Sequence, residues 1–416
     1  MNTWTLIIVF GLVGLALFEI YFTTVFIASF RQNKQDTYRD SELPKVAIAL
    51  CLRGADPFLP KCLEALLNQN YPQYELRIVV DSKKDPAWAI ATETLLQTNI
   101  PVQISPLRIR RETCSLKCSA LIQAVTELEP DCEIVALVDA DTIPHPNWLR
   151  ELVAPLKNSQ VGLTTGNRWY VPGTQWGTMC RYLWNVAAVG QMYLYRIPWG
   201  GSLAIRTDLV RQAQLIERWE QAFCEDTMLR RVLQEKGLQI ESVASLMMVN
   251  REECTLPSFR RWVSRQLLNA KLYHPGWNAV LIYGTIVFLI PASAALSSIV
   301  ALFTAQWTSA VILGVSFVAY LTLLLVLINV WQQAVRAKLK LRRESLPNLS
   351  PVTFLKFIVA IPLSQLVCAI ALWQAVLTKQ VEWRGITYQI KGPWDIKLME
   401  YLPYQYLKRT NPKTSL

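Results

Sequence analysis

The chain has 416 residues, 52% of them hydrophobic and 18% charged, and a formal charge of +11 from 42 Lys+Arg against 31 Asp+Glu. That length exceeds one small core and implies two or three structural units. A nucleic-acid partner would explain the positive charge. Many of the Lys and Arg flank apolar stretches, however, which favours a membrane protein with basic loops on one side.

Residues 1–31 read as a transmembrane helix, because the apolar run from Trp4 to Phe30 exceeds the roughly 20 residues that span a bilayer. It lacks a basic start and a small-residue cleavage site, so a cleaved signal peptide is the weaker reading. Arg31, Lys34 and Arg39 follow it, which places the next unit in the cytoplasm and the amino terminus outside. Glu19 falls within this span, either neutral or paired with a group on another helix.

Residues 40–271 alternate strand and helix patterns. Strands are expected at 46–52, 75–80, 102–105 and 134–138, and helices at 58–68, 86–98 and 115–128. The expected fold class is α/β, a Rossmann-like, mostly parallel sheet covered by helices on both faces. Ligands bind beyond the carboxyl ends of such strands, and Arg53, Asp81 and Asp139 all fall at strand ends.

From Leu272 to Val335 there is no Asp, Glu, Lys or Arg, and residues 278–335 read as a transmembrane hairpin turning near Thr304–Thr308. The loop that follows, with Arg336, Lys338, Lys340, Arg342 and Arg343, should be cytoplasmic. Residues 351–378 form a third apolar segment, with Lys356 near its start and Pro362 inside it. If it spans, residues 379–416 lie outside, yet that tail is basic (Arg384, Lys391, Lys397, Lys408, Arg409, Lys413). A re-entrant or kinked segment would reconcile the two. The nine cysteines show no disulfide spacing. With only two histidines in the chain, Cys114 and Cys118 read as buried reduced thiols rather than a zinc site.

Five constellations carry chemistry. Asp139-Ala140-Asp141 follows a buried strand, so two carboxylates can approach one hard divalent cation whose remaining positions diphosphate oxygens fill. The alternative is an Asp-rich turn. Asp81 ends a strand and suits a base or ribose; otherwise it caps the helix at Pro86. Glu225-Asp226 opens a helical pattern, where Asp226 can take a proton from a hydroxyl or simply favour the helix amino terminus. Gly200-Gly201 permits close backbone approach to a ligand. Arg260, Arg261 and Arg265 suit a diphosphate and Trp262 the wall of an acceptor site, unless they form a juxtamembrane belt.

The runs KVAIALCLRGADPFLPKCLEALLNQNYPQYELRIVVDS, VALVDADT, WGGSLAIR, CEDTMLRRVL and RRW, in that order, resemble family 2 glycosyltransferases with the GT-A fold. Within these they are most similar to the ceramide-glucosyltransferase-like branch, which glycosylates membrane lipids. The resemblance covers residues 40–270, and the closing WRGITY is similar to the segment after that branch's last membrane helix. It implies that Arg53, Gly54, Ala55, Asp81, Lys117 and Asp139 bind the nucleotide-sugar. Asp141 and Asp139 would hold Mg2+ or Mn2+, and Gly200, Gly201, Arg261, Trp262 and Arg265 would serve the acceptor and diphosphate. Asp226, beside Glu225, would be the general base of an inverting transfer from a UDP-sugar to a lipid hydroxyl.

The implied setting is a multi-pass protein of a bacterial inner membrane or its equivalent, with a cytosolic catalytic domain. Ser258 stands where a Gln or Arg is expected three residues before Arg261, which weakens the rival reading as a processive polysaccharide synthase. A catalytically inactive scaffold binding lipid or nucleotide is the other rival, and the intact acidic motifs count against it.

Overall fold

The computed structural model describes residues 3–32, 39–96, 98–342 and 344–404. Lys34, Arg343, Lys408, Arg409 and Lys413, named above as flanking charges, lie outside them. The chain opens with α1 (Thr3–Gln32). It continues through β1 (Val46–Leu52), α2 (Leu59–Leu67), β2 (Tyr74–Val80), α3 (Pro86–Thr94) and β3 (Val102–Pro106). Next come α4 (Leu116–Thr126), β4 (Ile134–Val138), α5 (Trp148–Val153), β5 (Val161–Tyr170) and α6 (Trp176–Tyr195). β6 (Ser202–Arg206), α7 (Thr207–Gln212), α8 (Leu215–Trp219), α9 (Leu229–Glu235), β7 (Gln239–Asn250) and α10 (Leu256–Tyr273) complete the catalytic domain. Three long helices follow, α11 (Trp277–Phe303), α12 (Trp307–Leu341) and α13 (Pro351–Leu377), then β8 (Gln380–Trp383), β9 (Ile386–Gly392) and β10 (Asp395–Tyr401).

Seven strands form one sheet in the order β3-β2-β1-β4-β6-β5-β7. All neighbours are parallel except β6, which runs antiparallel to β4 and β5. This is the GT-A arrangement. β1 and β4 are apolar on both faces because helices cover both sides of the sheet, while β2 is equally buried but carries the paired Glu75 and Arg77. Their register brings Leu52 beside Val80 and Leu50 beside Val138. The residues that follow, Arg53, Asp81 and Asp139, therefore emerge at one edge. Asp85, not Asp81, caps α3, accepting from the Ala87 amide at 2.8 Å and the Gly54 amide at 2.9 Å. Asp81 is thereby free for another task.

Four helices (α1, α11, α12 and α13) are long and apolar enough to cross a membrane. α11 and α12 are joined by a short turn between Phe303 and Trp307. Pro291 and Pro362 sit inside unbroken helices. α12 meets the sheet domain through Gln332, which accepts from Trp169 of β5 and Tyr182 of α6, both at 3.1 Å, and α13 meets it at several levels. Near its middle, the Ser364 hydroxyl donates to the Cys180 carbonyl of α6 at 3.2 Å. Towards its end, Ser264 of α10 donates to Gln374 at 3.3 Å, and Lys271 donates to the Val376 carbonyl at 2.7 Å. α13 thus packs along α6 and α10 over its second half.

The segment expected as a plain basic tail is instead a three-stranded antiparallel sheet, in the order β10-β9-β8, as far as Tyr401. It packs on the catalytic domain, where the Tyr388 hydroxyl accepts from the Leu116 amide at 3.0 Å and the Leu398 amide donates to the Glu112 carbonyl at 2.7 Å.

Candidate active site

The edge beyond β1, β2 and β4 opens into a cavity of about 200 Å³. Arg53, Gly54, Asp81, Lys117, Asp139, Asp141, Glu225, Asp226, Trp262 and Arg265 all line it. Most of the residues singled out in the sequence are brought together here, although they span more than half of the chain.

Lys117 enters from the first turn of α4, which Ser115 caps. Its ammonium lies 2.6 Å from Asp139 Oδ1 and 2.6 Å from Glu225 Oε1. Burial alone would lower its pKa, but the carboxylates of Asp139 and Glu225 hold it well above its usual value. Burial would likewise raise Asp139, and the adjacent Lys117 instead holds it below the ordinary carboxylate value. Glu225 has the opposite balance. Its burial, with Asp226 and Asp139 nearby, pushes it up to about 7 against the pull of Lys117. Asp141 accepts from Asn250 Nδ2 at 3.1 Å. Burial and the nearby acids Asp139, Asp56 and Glu252 push it up to about 7 as well.

Asp226 lies in the turn before α9 and not in the helix itself; its carbonyl accepts from the Leu229 amide. The Gly200 amide donates to Oδ2 at 2.7 Å, while Cys224 Sγ at 2.8 Å and Thr227 Oγ1 at 2.9 Å donate to Oδ1. Oδ1 is thus saturated, and Oδ2 keeps a lone pair for a further donor. Gly200 and Gly201 are small for steric reasons. A Cβ on Gly200 would stand 2.3 Å from Glu225 Oε1, and one on Gly201 would stand 2.2 Å from the Trp199 ring and 2.7 Å from Asp139 Oδ2.

Asp81 is 5% exposed. Its Oδ2 accepts from Arg53 and from the Tyr401 hydroxyl, the latter at 2.7 Å. Its Oδ1 is buried with no partner among the described residues. Arg53 itself is largely committed, since it also donates to the Arg384 carbonyl (2.8 Å) and the Leu402 carbonyl (2.6 Å). It fastens the C-terminal sheet over the site.

Four expected residues do not line the cavity, and two of them, Gly200 and Gly201, pack behind it against Glu225, Trp199 and Asp139. Ala55 does not line the cavity, and neither does Arg261, which is exposed on α10 and donates to Ser258 Oγ at 3.2 Å. Arg260 is exposed too. Helical spacing explains the split, because Trp262, Arg265, Gln266 and Asn269 recur at intervals of three and four along the face turned to the cavity. Sequence reading passed over Arg168 and gave Arg384 no role at the site. Arg168 lies 4.9 Å from the Trp262 ring and Arg265 4.6 Å from the Trp383 ring. Burial, together with Arg384 and Arg168, pushes the Arg265 guanidinium down to about 10. Three cations so close together suit a ligand of multiple negative charge.

A second, apolar cavity of about 300 Å³ lies among α1, α6, α10, α11, α12 and α13. It shares Arg168, Trp199, Asp226, Gln266 and Asn269 with the first.

Paired acids and a cluster of arginines lie together at the carboxyl edge of the sheet, in a chain that also carries long apolar helices. A model of glycosyl transferase family 21 matches residues 6–393, and the chain belongs to that family. The motifs point to family 2 and, within it, to the ceramide-glucosyltransferase-like branch, with which this family is consistent. Among solved structures it is similar to a mannosyltransferase from Pyrobaculum calidifontis in complex with GDP-Man and Mn2+, at 14% identity and a TM-score of 0.49, covering 89% of this chain and 99% of that one. It is also similar to glucosyl-3-phosphoglycerate synthase from Mycobacterium tuberculosis in complex with Mn2+ and UDP-glucose, at 13% identity and a TM-score of 0.36, covering 58% and 87%.

Proposed function

We propose that the protein moves a sugar from a UDP-sugar to the hydroxyl of a membrane lipid, with inversion, at the cytosolic face of the membrane. The observation that carries this reading is the shared wall of the two cavities. Asp226 stands where a polar, cation-rich chamber meets an apolar one set among membrane helices. The basic residues Arg336, Lys338 and Lys340 at the end of α12 support the cytosolic orientation.

The donor set fits a divalent cation. Asp139, Asp141, Asp56 and Glu252 crowd negative charge that raises Asp141, which a bound cation would relieve. Among the described residues no three His, Cys, Asp or Glu side chains converge, so the protein offers Asp139 and Asp141 and leaves the other positions to diphosphate and water. Mg2+ or Mn2+ held there would neutralise charge on the leaving diphosphate. Asp81 Oδ1 is the acceptor available to the imide N–H of a uracil. Arg168, Arg265 and Arg384 receive the diphosphate. Asp226 Oδ2 takes the proton from the lipid hydroxyl as its oxygen bonds to the anomeric carbon and the bond to UDP breaks on the opposite face.

Membranes containing the protein, incubated with a panel of labelled UDP-sugars, test the proposal. Label should enter an organic-soluble glycolipid. Label in an aqueous polymer would indicate a polysaccharide synthase, and no UDP release from any donor would indicate an inactive scaffold; either result overturns the proposal.

A further inference from the structure

The carboxylate of Asp81 is bonded asymmetrically. Arg53 and the Tyr401 hydroxyl both donate to Oδ2, while Oδ1 is buried with no partner among the described residues. A carboxylate oxygen has room for about two donors, so Oδ2 is filled and Oδ1 is open. Tyr401 reaches Asp81 from β10, 320 residues further along the chain. Its ring is held in turn by Arg110, whose guanidinium carbon lies 3.3 Å from the ring centre, and by Arg53 at 5.0 Å. The backbone beside it is fixed as well. The Leu398 amide donates to the Glu112 carbonyl at 2.7 Å, and the Leu402 amide to the Gly385 carbonyl at 2.9 Å.

Fastening the C-terminal sheet does not require this hydroxyl. Arg53 already bonds the Arg384 and Leu402 carbonyls, and Tyr388 bonds the Leu116 amide. A phenylalanine at position 401 would keep both ring contacts with the arginines. What the hydroxyl adds is the second donor on Oδ2, which leaves Asp81 one usable oxygen. Bases differ in what they present to such a group. Uracil carries a single imide N–H, which one oxygen satisfies. Guanine carries two adjacent N–H donors, and an uncommitted carboxylate takes them as a pair across both of its oxygens.

We infer that Tyr401 is a positioning residue for choice of donor: by occupying Oδ2 of Asp81 it confines the base contact to Oδ1, and so favours a base with one imide N–H over guanine. The inference rests on the reading of Asp81 as the base contact. In the wild type the second N–H of guanine enters a buried site without an acceptor, and burying a donor unpaired is what makes such discrimination strong. Without the Tyr401 hydroxyl, Oδ2 regains a lone pair and can take that N–H.

The test uses the full-length enzyme in lipid nanodiscs with Mn2+ in the buffer, and measures equilibrium binding of UDP, 3-methyl-UDP, GDP and IDP. IDP lacks the second N–H of guanine and otherwise matches GDP. The wild type should bind UDP roughly tenfold or more tightly than 3-methyl-UDP, and GDP no better than IDP. Tyr401→Phe should bind GDP roughly tenfold more tightly than IDP, and its preference for UDP over GDP should fall by the same factor. If Tyr401 only anchors the sheet, the variant loses affinity for all four nucleotides together and the ratios stay, which overturns the inference. Exclusion of both purines from both proteins overturns it too, because size and not Asp81 then selects the base. The wild-type comparison needs no variant: a preference for GDP over IDP there shows that both oxygens are open and overturns the inference. Equal binding of UDP and 3-methyl-UDP by the wild type overturns the reading of Asp81 as the base contact, and the inference with it.

Discussion

The ammonium of Lys117 lies 2.6 Å from the carboxylate of Asp139, and the same group is 2.6 Å from Glu225. One cation therefore ties a proposed metal ligand to the loop that carries the proposed base. Lys117→Met leaves the buried Glu225 carboxylate and the partly buried Asp139 carboxylate facing an uncharged side chain of similar size. Removing one member of such a buried set costs about 3 kcal/mol. Lower thermal stability together with weaker UDP-sugar binding is the expected result. An unchanged melting temperature would show that the two acids find other partners.

The environment of Asp226 sharpens the assignment of the base. Its Oδ1 is filled by Cys224 and Thr227, while Oδ2 receives only the Gly200 amide. Asp226→Asn keeps the size of the side chain and removes the basic oxygen, so kcat should fall by roughly 10²–10⁴-fold with UDP affinity retained. Near-normal turnover would rule Asp226 out. Gly200→Ala should also cut turnover, because the new methyl group meets Glu225 Oε1 at 2.3 Å and must push that carboxylate away from Lys117.

What the sequence disclosed depended on how local each signal was. β1, β2 and β4 were readable because apolar runs end at turn residues, and those ends carry Arg53, Asp81 and Asp139. Arg168 and Glu252 carry no local motif; they reach the site only because β5 pairs with β7 and Glu252 follows β7. The C-terminal sheet was read as a tail because its strands are short and interspersed with charges. A signal was nevertheless present. Arg384 and Gly385 both adopt positive φ, 49° and 75°, and an X-Gly pair between two short strands marks a tight hairpin. The course of α13 was not legible, since composition gives the length of an apolar helix but not what it packs against.

Acid should weaken the fold through His145. Burial, with the Arg342 guanidinium nearby, pushes its imidazole down from 6.5 to about 3. Its folded value is below its unfolded one, so the unfolded chain takes up a proton first as the pH falls. The stability contributed is complete above about 6.5 and is lost progressively towards 3; near pH 5 the loss is roughly 2 kcal/mol. Thermal melts of the wild type and His145→Gln, each at neutral pH and near pH 5, measure it. The variant should lose less on acidification. Equal losses would mean that His145 opens to solvent more readily than its burial implies.

Arg181 links the core to the site through a single pair. It is fully buried on α6, lies 2.9 Å from Glu252 Oε2 and sits 4.2 Å from the Tyr170 ring. Glu252 in turn lines the polar cavity and adds to the charge that raises Asp141. Arg181→Met removes the cation that faces Glu252 among other acids, a change that costs about 3–5 kcal/mol when one partner of a buried pair is lost. The double variant Arg181→Met/Glu252→Gln should recover much of that stability, because no charge is then left unpaired. Chemical denaturation of the three proteins gives the coupling directly. If the double variant is as unstable as Arg181→Met alone, the packing of Arg181 against Tyr170, and not its charge, holds α6 in place.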